Sequence, residues 1–255
     1  MSGPLAGRRI LVTRPLHQSE ALARLIGEAG GEAIVFPAIE IAEALDPAPA
    51  RALLGRLGEF DFAIFVSANA VERGLALLDR PWPDGVRAAA VGAGTRRLLQ
   101  DRGVRGVLAP EGLADSEALL ALPALAAIRG CRVVIIRGEG GREFLRAALQ
   151  ARGAVVEYAE CYRRVRPRAD PAPLLLAWAR GDLDAVTVNS AEALGNLAAL
   201  LGEAGARLLR ATPLFVPHPR LAEAAARLGV ARAVVAGPGD GEMLQRLVAY
   251  FAQGN

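Results

Sequence analysis

Apolar residues fall along this chain in two alternating styles. Short, nearly continuous runs are separated by stretches whose apolar positions recur three or four residues apart. The first style reads as strands covered on both faces, the second as helices with one buried stripe. The pattern predicts strands over 10–13, 33–36, 60–66, 87–91, 132–137, 185–188, 214–216 and 233–236. A short strand is expected at Val107-Leu108, an extended piece at 38–41, and a strand after the helix in 131–164. Helices are predicted over 19–28, 51–57, 70–78, 95–101, 174–180, 192–201, 221–228 and 243–251, with one more opened by Asp115. In the first of them Leu22, Leu25 and Ile26 share a face, and Ser19 is the expected N-cap.

The opening unit occurs twice. Arg9-Ile-Leu-Val-Thr-Arg14 aligns with Arg132-Val-Val-Ile-Ile-Arg137, Leu22 with Leu145, and Gly30 with Gly153, all at an offset of 123 residues. Asp61-Phe-Ala-Ile-Phe-Val-Ser67 aligns with Asp184-Ala-Val-Thr-Val-Asn-Ser190 at the same offset, and Gly103 with Gly229 after a small slip. A long fixed offset marks a duplicated structural unit. The fold class that follows is α/β: two related parallel-sheet domains, each with helices on both faces. In such sheets ligands bind beyond the carboxyl ends of the strands. Function is therefore expected in the turns after the strands. These carry Arg14, Ser67-Ala-Asn69, Gly92-Ala-Gly94-Thr95, Arg137-Gly138, Ser190-Ala191, His218-Pro219-Arg220 and Gly237-Pro-Gly-Asp240. Glycines and helix N-termini there offer backbone N–H groups to carboxylates or phosphates, and Arg14, Arg137 and Arg220 favour an anionic ligand.

Composition narrows the chemistry. The chain has 255 residues, enough for two domains, and a net charge of +3. All its Lys+Arg are Arg, spread without a basic block, so nucleic acid is not an expected partner. Without lysine there is no Schiff-base or P-loop chemistry. Two Cys, Cys131 and Cys161, make neither a disulfide framework nor a four-cysteine metal site, and two distant His make no metal centre. Gly92-Ala-Gly94 lacks the third glycine of a dinucleotide fingerprint. No apolar run approaches the ~20 residues of a membrane helix, and residues 1–9 lack a signal peptide's apolar core, so a cytoplasmic protein is expected.

Several short segments, in this order and spacing, carry a resemblance. They are Leu11-Val-Thr-Arg-Pro15, Val66-Ser-Ala-Asn-Ala-Val71, Ala90-Val-Gly-Ala-Gly-Thr95, Asp115-Ser-Glu117, Ile136-Arg-Gly-Glu-Gly-Gly-Arg-Glu143, Cys161-Tyr-Arg-Arg164, Asn189-Ser-Ala-Glu192 and His218-Pro-Arg220. Together they resemble the uroporphyrinogen-III synthase family from end to end.

The resemblance implies a cofactor-free and metal-free lyase of haem biosynthesis. Such an enzyme closes hydroxymethylbilane into uroporphyrinogen III and inverts the last pyrrole through an azafulvene cation and a spiro intermediate. It implies that Tyr162 is the catalytic residue, assisting loss of the hydroxyl, whereas Tyr158 on the same strand has no family match. Ser67, Thr95 and Ser190 match the family's Ser and Thr near its cleft. The substrate's acetate and propionate arms are expected on Arg14, Ser67, Asn69, Gly92, Thr95, Arg137, Gly138, Ser190, Ala191, His218, Pro219 and Arg220, with backbone N–H groups outweighing side chains. The family exchanges its halves, which gives flavodoxin-like domains of 1–38 with 168–255 and of 39–167, joined by a two-segment hinge. A monomer is expected. The rival reading is a non-enzymatic tetrapyrrole- or anion-binding regulatory module on the same fold.

Overall fold

The structure is a computed structural model that describes residues 3–112 and 115–253. Its elements begin with β1 (Arg9–Val12), α1 (Leu16–Glu28), β2 (Glu32–Val35), β3 (Glu40–Glu43), α2 (Ala48–Gly55), β4 (Phe62–Phe65) and α3 (Ala68–Leu77). They continue with β5 (Arg87–Ala90), α4 (Ala93–Asp101), α5 (Ser116–Leu120), β6 (Arg132–Gly138), α6 (Phe144–Ala151) and β7 (Val155–Val165). The rest are α7 (Ala172–Ala179), β8 (Ala185–Thr187), α8 (Ala191–Ala211), β9 (Leu214–Val216), α9 (Pro219–Arg227), β10 (Ala233–Val235) and α10 (Asp240–Ala252).

The chain divides into two compact units, 1–40 with 165–255, and 41–164. The first holds a five-stranded sheet in the order β10-β9-β8-β1-β2. All its strand pairs are parallel. Counted within the unit, this is the 2-1-3-4-5 order of the flavodoxin-like fold. The second holds β3-β7-β6-β4-β5, with Leu108 bridging to Ala89 beyond β5. Started at β6, the repeat of β1, it runs β7-β6-β4-β5-Leu108, the same order. Each sheet thus takes its first two strands from one copy of the repeat and the others from the second copy.

The same carboxylate contact locks both exchanges. Asp184, just before β8, accepts from the Arg9 backbone N–H and from Arg8 Nη1, each at 2.8 Å. Its repeat mate Asp61, just before β4, accepts from the Arg132 N–H at 2.7 Å. The mirrored backbone bonds also match: Asp184 N to Arg9 O and Asp61 N to Arg132 O, both 2.9 Å.

The central strands alternate between two apolar cores. In β4, Phe62 and Ile64 face one and Ala63 and Phe65 the other; in β6, Val133 and Ile135 join the first and Val134 and Ile136 the second. Both faces are covered, so the strands read as continuous apolar runs. In the first unit Ile10, Val12, Leu22, Phe215, Met243 and Leu247 pack together.

Three expectations need correction. Ser19 does not cap α1: the helix starts at Leu16 after Pro15, and the Ser19 hydroxyl donates to the Arg14 and Pro15 carbonyls. Val107-Leu108 forms only an isolated bridge. The helix expected to end at 201 does end there, broken by Gly202 with a φ of 62° and a ψ of −165°, but a second helical stretch that the pattern did not predict follows it to Ala211. A glycine is needed there because a side chain disfavours that backbone region.

Candidate active site

In the first unit β9, β8 and β1 are neighbours, so their exit turns share one edge of the sheet. Ser190 caps α8, its Oγ accepting from Ala193 N at 3.1 Å, and Ala191 opens the helix on the surface. His218 caps α9, its Nδ1 accepting from Leu221 N at 3.2 Å. Pro219 follows at the first helical position, where its fixed φ suits the helix, and both Pro219 and Arg220 are exposed. Arg14 is spoken for: its guanidinium pairs with Asp240 at 2.5 Å, and only 16% of its side chain is exposed. Beside Ser190, Asn189 Oδ1 is buried and has no hydrogen-bond partner among the described residues. Only an N–H or O–H donor could satisfy it.

In the second unit Ser67 caps α3, its Oγ accepting from Ala70 N at 3.1 Å, and Asn69 is buried in the first turn. Gly92 is the extended N-cap of α4 and Thr95 is buried two residues inside it. These helix N-termini stand at the exits of the paired strands β4 and β5.

Tyr162 is fully buried, and its hydroxyl lies 3.0 Å from Ser67 Oγ. A β-bulge puts it there. Along β7 the residues Val156 and Tyr158 belong to one core and Ala159 and Cys161 to the other, as alternation requires. Between Arg137 and Gly138 the register slips, so Arg137 faces Glu160 but Gly138 faces Tyr162. The extra residue turns Tyr162 onto the Cys161 face, away from Tyr158. The ring then lies against Gly138, where an added Cβ would sit 2.7 Å from Tyr162 Cε2. Glycine at 138 is a packing requirement. Burial pushes the neighbouring Cys161 thiol up to about 12, and the Glu160 charge adds to it.

The opposite face of β6 carries Arg137, 5% exposed. Its Nε donates to Gly138 O at 3.1 Å and its Nη1 to Glu143 Oε1 at 3.3 Å. The guanidinium lies over the Tyr158 ring, 4.4 Å from its centroid, and Arg146 flanks that ring at 4.8 Å. The Tyr158 hydroxyl donates to Glu143 Oε2 at 3.0 Å. Burial, then that bond, raises its pKa above the ordinary phenol value. Arg137, Tyr158 and the Gly140-Gly141 turn border a pocket of about 130 Å³. Among the described residues no group of three His, Cys, Asp or Glu could hold a metal ion.

A family model described as uroporphyrinogen-III synthase HemD matches residues 20–245. The chain belongs to the uroporphyrinogen-III synthase family. It is 35% identical to the uroporphyrinogen-III synthase of Escherichia coli K12 over 241 residues, covering 93% of this chain and 98% of that one. It is 36% identical to the Salmonella typhimurium LT2 protein of that name over 242 residues, with the same coverage. The fold resembles that of a mutant uroporphyrinogen III synthase from the extremely thermophilic bacterium Thermus thermophilus, with a TM-score of 0.61 at 22% identity over 96% of this chain and 99% of that one. It also resembles the Helicobacter pylori 26695 enzyme, with a TM-score of 0.61 at 14% identity over 95% and 99% of the two chains.

Within this family member the structure joins Tyr162 to Ser67 and to Gly138, but sets the Arg137 side chain on the opposite face of the sheet. Tyr158 and Arg142 border the pocket beside Arg137 and Glu143 binds both Arg137 and Tyr158, although none of the three was among the expected site residues. Glu143 and Arg142 lie inside the segment that carried the resemblance. Tyr158 had a signal of its own, because alternation puts it on the face of Arg137.

Proposed function

We propose that this chain cyclises hydroxymethylbilane to uroporphyrinogen III with inversion of the last pyrrole ring, as a cofactor-free hydro-lyase. The observation that carries the reading is the family match across residues 20–245, with relatives above 30% identity over nearly the whole chain. The helix N-termini at Ser67, Gly92, Ser190 and His218 support it, since each offers N–H groups to a carboxylate. Asn69, Thr95, Ala191, Pro219 and Arg220 belong to the same turns and contact substrate in this reading, as do Arg137 and Gly138. Arg14 contributes by fixing its turn through Asp240.

Because Tyr162 is buried, its hydroxyl reaches substrate through Ser67, whose Oγ it meets at 3.0 Å. The half-buried Ser67 hydroxyl passes its proton to the departing hydroxyl as the C–O bond breaks and takes that of Tyr162, water leaves, and the proton that the substrate releases on ring closure restores the pair. The remaining task is to hold one folded conformer of a flexible substrate, which is entropy work done by binding. In this reading the chain acts as a cytoplasmic monomer.

The test supplies hydroxymethylbilane to the full chain in the presence of a chelator and without nucleotide. Mainly type III product is expected. Product no richer in type III than without protein would sink the cyclase reading in favour of a binding module. Activity lost to the chelator and restored by metal would sink the cofactor-free part. Sedimentation of the full chain tests the monomer.

A further inference from the structure

We propose that Gly74 is a positioning residue: without a side chain it lets α3 lie close against β6, and that approach brings Ser67 within reach of Tyr162. This rests on reading the Ser67–Tyr162 pair as the proton relay. Glycine is the poorest helix former after proline, so one in the buried interior of α3 needs a reason. The reason is contact. A Cβ at Gly74 would sit 2.7 Å from Ile136 Cγ2 and 3.5 Å from Phe65 Cε1. Carbon atoms pack at about 3.5–4.0 Å, so the contact to Ile136 would be too short by about 0.8 Å or more.

The geometry ties that contact to the relay. Gly74 follows Ser67 by close to two helical turns, so both stand on the side of α3 that meets the sheet. Ala70 and Val71 fill the space between them and pack with Phe65, Ile136 and Tyr162 in one core. On β6, Ile136 and Gly138 share a face by alternation, and the Tyr162 ring lies against Gly138. Helix and strand thus meet at two glycines. Gly138 seats the ring of Tyr162, and Gly74 seats the helix that Ser67 caps.

Which partner yields to a methyl group at 74 follows from their surroundings. Ile136 is fully buried and β-branched, which leaves its χ1 little freedom. Its strand is paired on both sides, to β4 and to β7. The helix α3 lies outside the sheet, with Ala76 exposed on its far side, and has no strand ladder to break. The helix therefore lifts off the strand by about 0.8 Å, and Ser67 moves with it. A 3.0 Å bond stretched by that much is no longer an O–H···O hydrogen bond.

The test is Gly74→Ala in the full chain, read by a crystal structure and by initial rates of type III formation. The distance from Ser67 Oγ to the Tyr162 oxygen should exceed about 3.5 Å. Turnover should fall roughly tenfold with KM little changed, as for losing the Tyr162 hydroxyl itself. Two readouts separate positioning from packing alone. Added to Tyr162→Phe, Gly74→Ala should lower turnover no further, because the relay is already gone. Ile136→Leu removes the Cγ2 methyl and keeps the carbon count, so it should restore Gly74→Ala to within about threefold of the parent. An unchanged distance, losses that multiply with Tyr162→Phe, or no rescue by Ile136→Leu would overturn the seating of α3 by Gly74. So would a Gly74→Ala chain too unstable to assay, because the helix would then have failed to move aside. A longer distance with parent-like turnover sinks the relay and leaves the seating. If the parent forms no type III product, the cyclase reading falls, and the distance still decides the seating.

Discussion

Replacing Tyr162 by Phe removes one oxygen and keeps the buried ring. The lost bond is the 3.0 Å contact to Ser67, a neutral pair. Such a bond contributes about 1 kcal/mol net. Ser67 Oγ keeps its Ala70 N–H and is reachable by water, so no buried group is orphaned. For a unit of this size the melting temperature should fall by about 4 °C. Turnover should fall further, by roughly ten- to a hundredfold, which is ~1.4–2.8 kcal/mol of barrier. A general acid in direct contact usually gives ~10²–10⁴-fold, and a hydroxyl acting through a second hydroxyl should give less. The relay makes a sharper claim about pairs. Ser67→Ala should cost about 1–2 kcal/mol of stability, because it also removes the cap of α3. In turnover, however, Tyr162→Phe with Ser67→Ala should be no worse than the poorer single variant, with KM little changed in all three. Tyr250→Phe is the control, since its hydroxyl only accepts from Arg232 on the surface of the first unit. The assay is initial-rate formation of type III product, with stability followed by denaturant unfolding. A fully active Tyr162→Phe, or losses that multiply in the double variant, would refute the relay.

The paired carboxylates predict a paired effect: Asp184→Ala should destabilise by about 2 kcal/mol and Asp61→Ala by about 1, because Asp184 accepts two bonds and the more exposed Asp61 one side-chain bond. Parent-like denaturation midpoints for both would show that the contacts are incidental. Cys161, with its thiol pushed up to about 12 from an ordinary 9.0, should resist alkylation at pH 8.5 in the folded chain and react after unfolding. Its folded pKa is the higher one, so the neutral thiol's contribution to stability is complete below pH 9 and lost as pH rises toward 12. Cys161→Ser that leaves the alkaline decline of stability unchanged would contradict this. A fragment of 41–164 holds a whole five-stranded sheet and should unfold cooperatively, whereas 165–255 lacks β1, whose Ile10, Leu11 and Val12 are fully buried beside β8, and should not. Circular dichroism of the two fragments during heating checks both halves of that statement.

Much was legible in the sequence because the signals are local. Buried parallel strands appear as unbroken apolar runs, and Phe62 to Phe65 reads as a strand because each side chain meets a core. The helix start at Asp115 follows from a side-chain acceptor ahead of a helical period, whereas Ser67, Ser190 and His218 were read as turn residues and prove to be the caps of helices that begin a residue or two earlier than expected. The duplication follows from a constant offset. The start of α1 was misread because Ser19 looked like a cap and instead bonds backward to Arg14 and Pro15.

The tertiary structure decided what depends on partners far away in the chain. Periodicity says that β1 is buried but not that β8, some 175 residues on, is its neighbour. Arg14 looked like an open cation until Asp240 was found against it. The face of Tyr162 was settled in the same way. Strict alternation assigns it to the side of Tyr158 and Arg137, and the bulge opposite Gly138 sends it to the side of Ser67. A strand's own residues fix its alternation, but a bulge exists only where two strands are laid side by side out of step. Which side chains share a site is therefore a property of the pairing, which no single stretch of sequence contains.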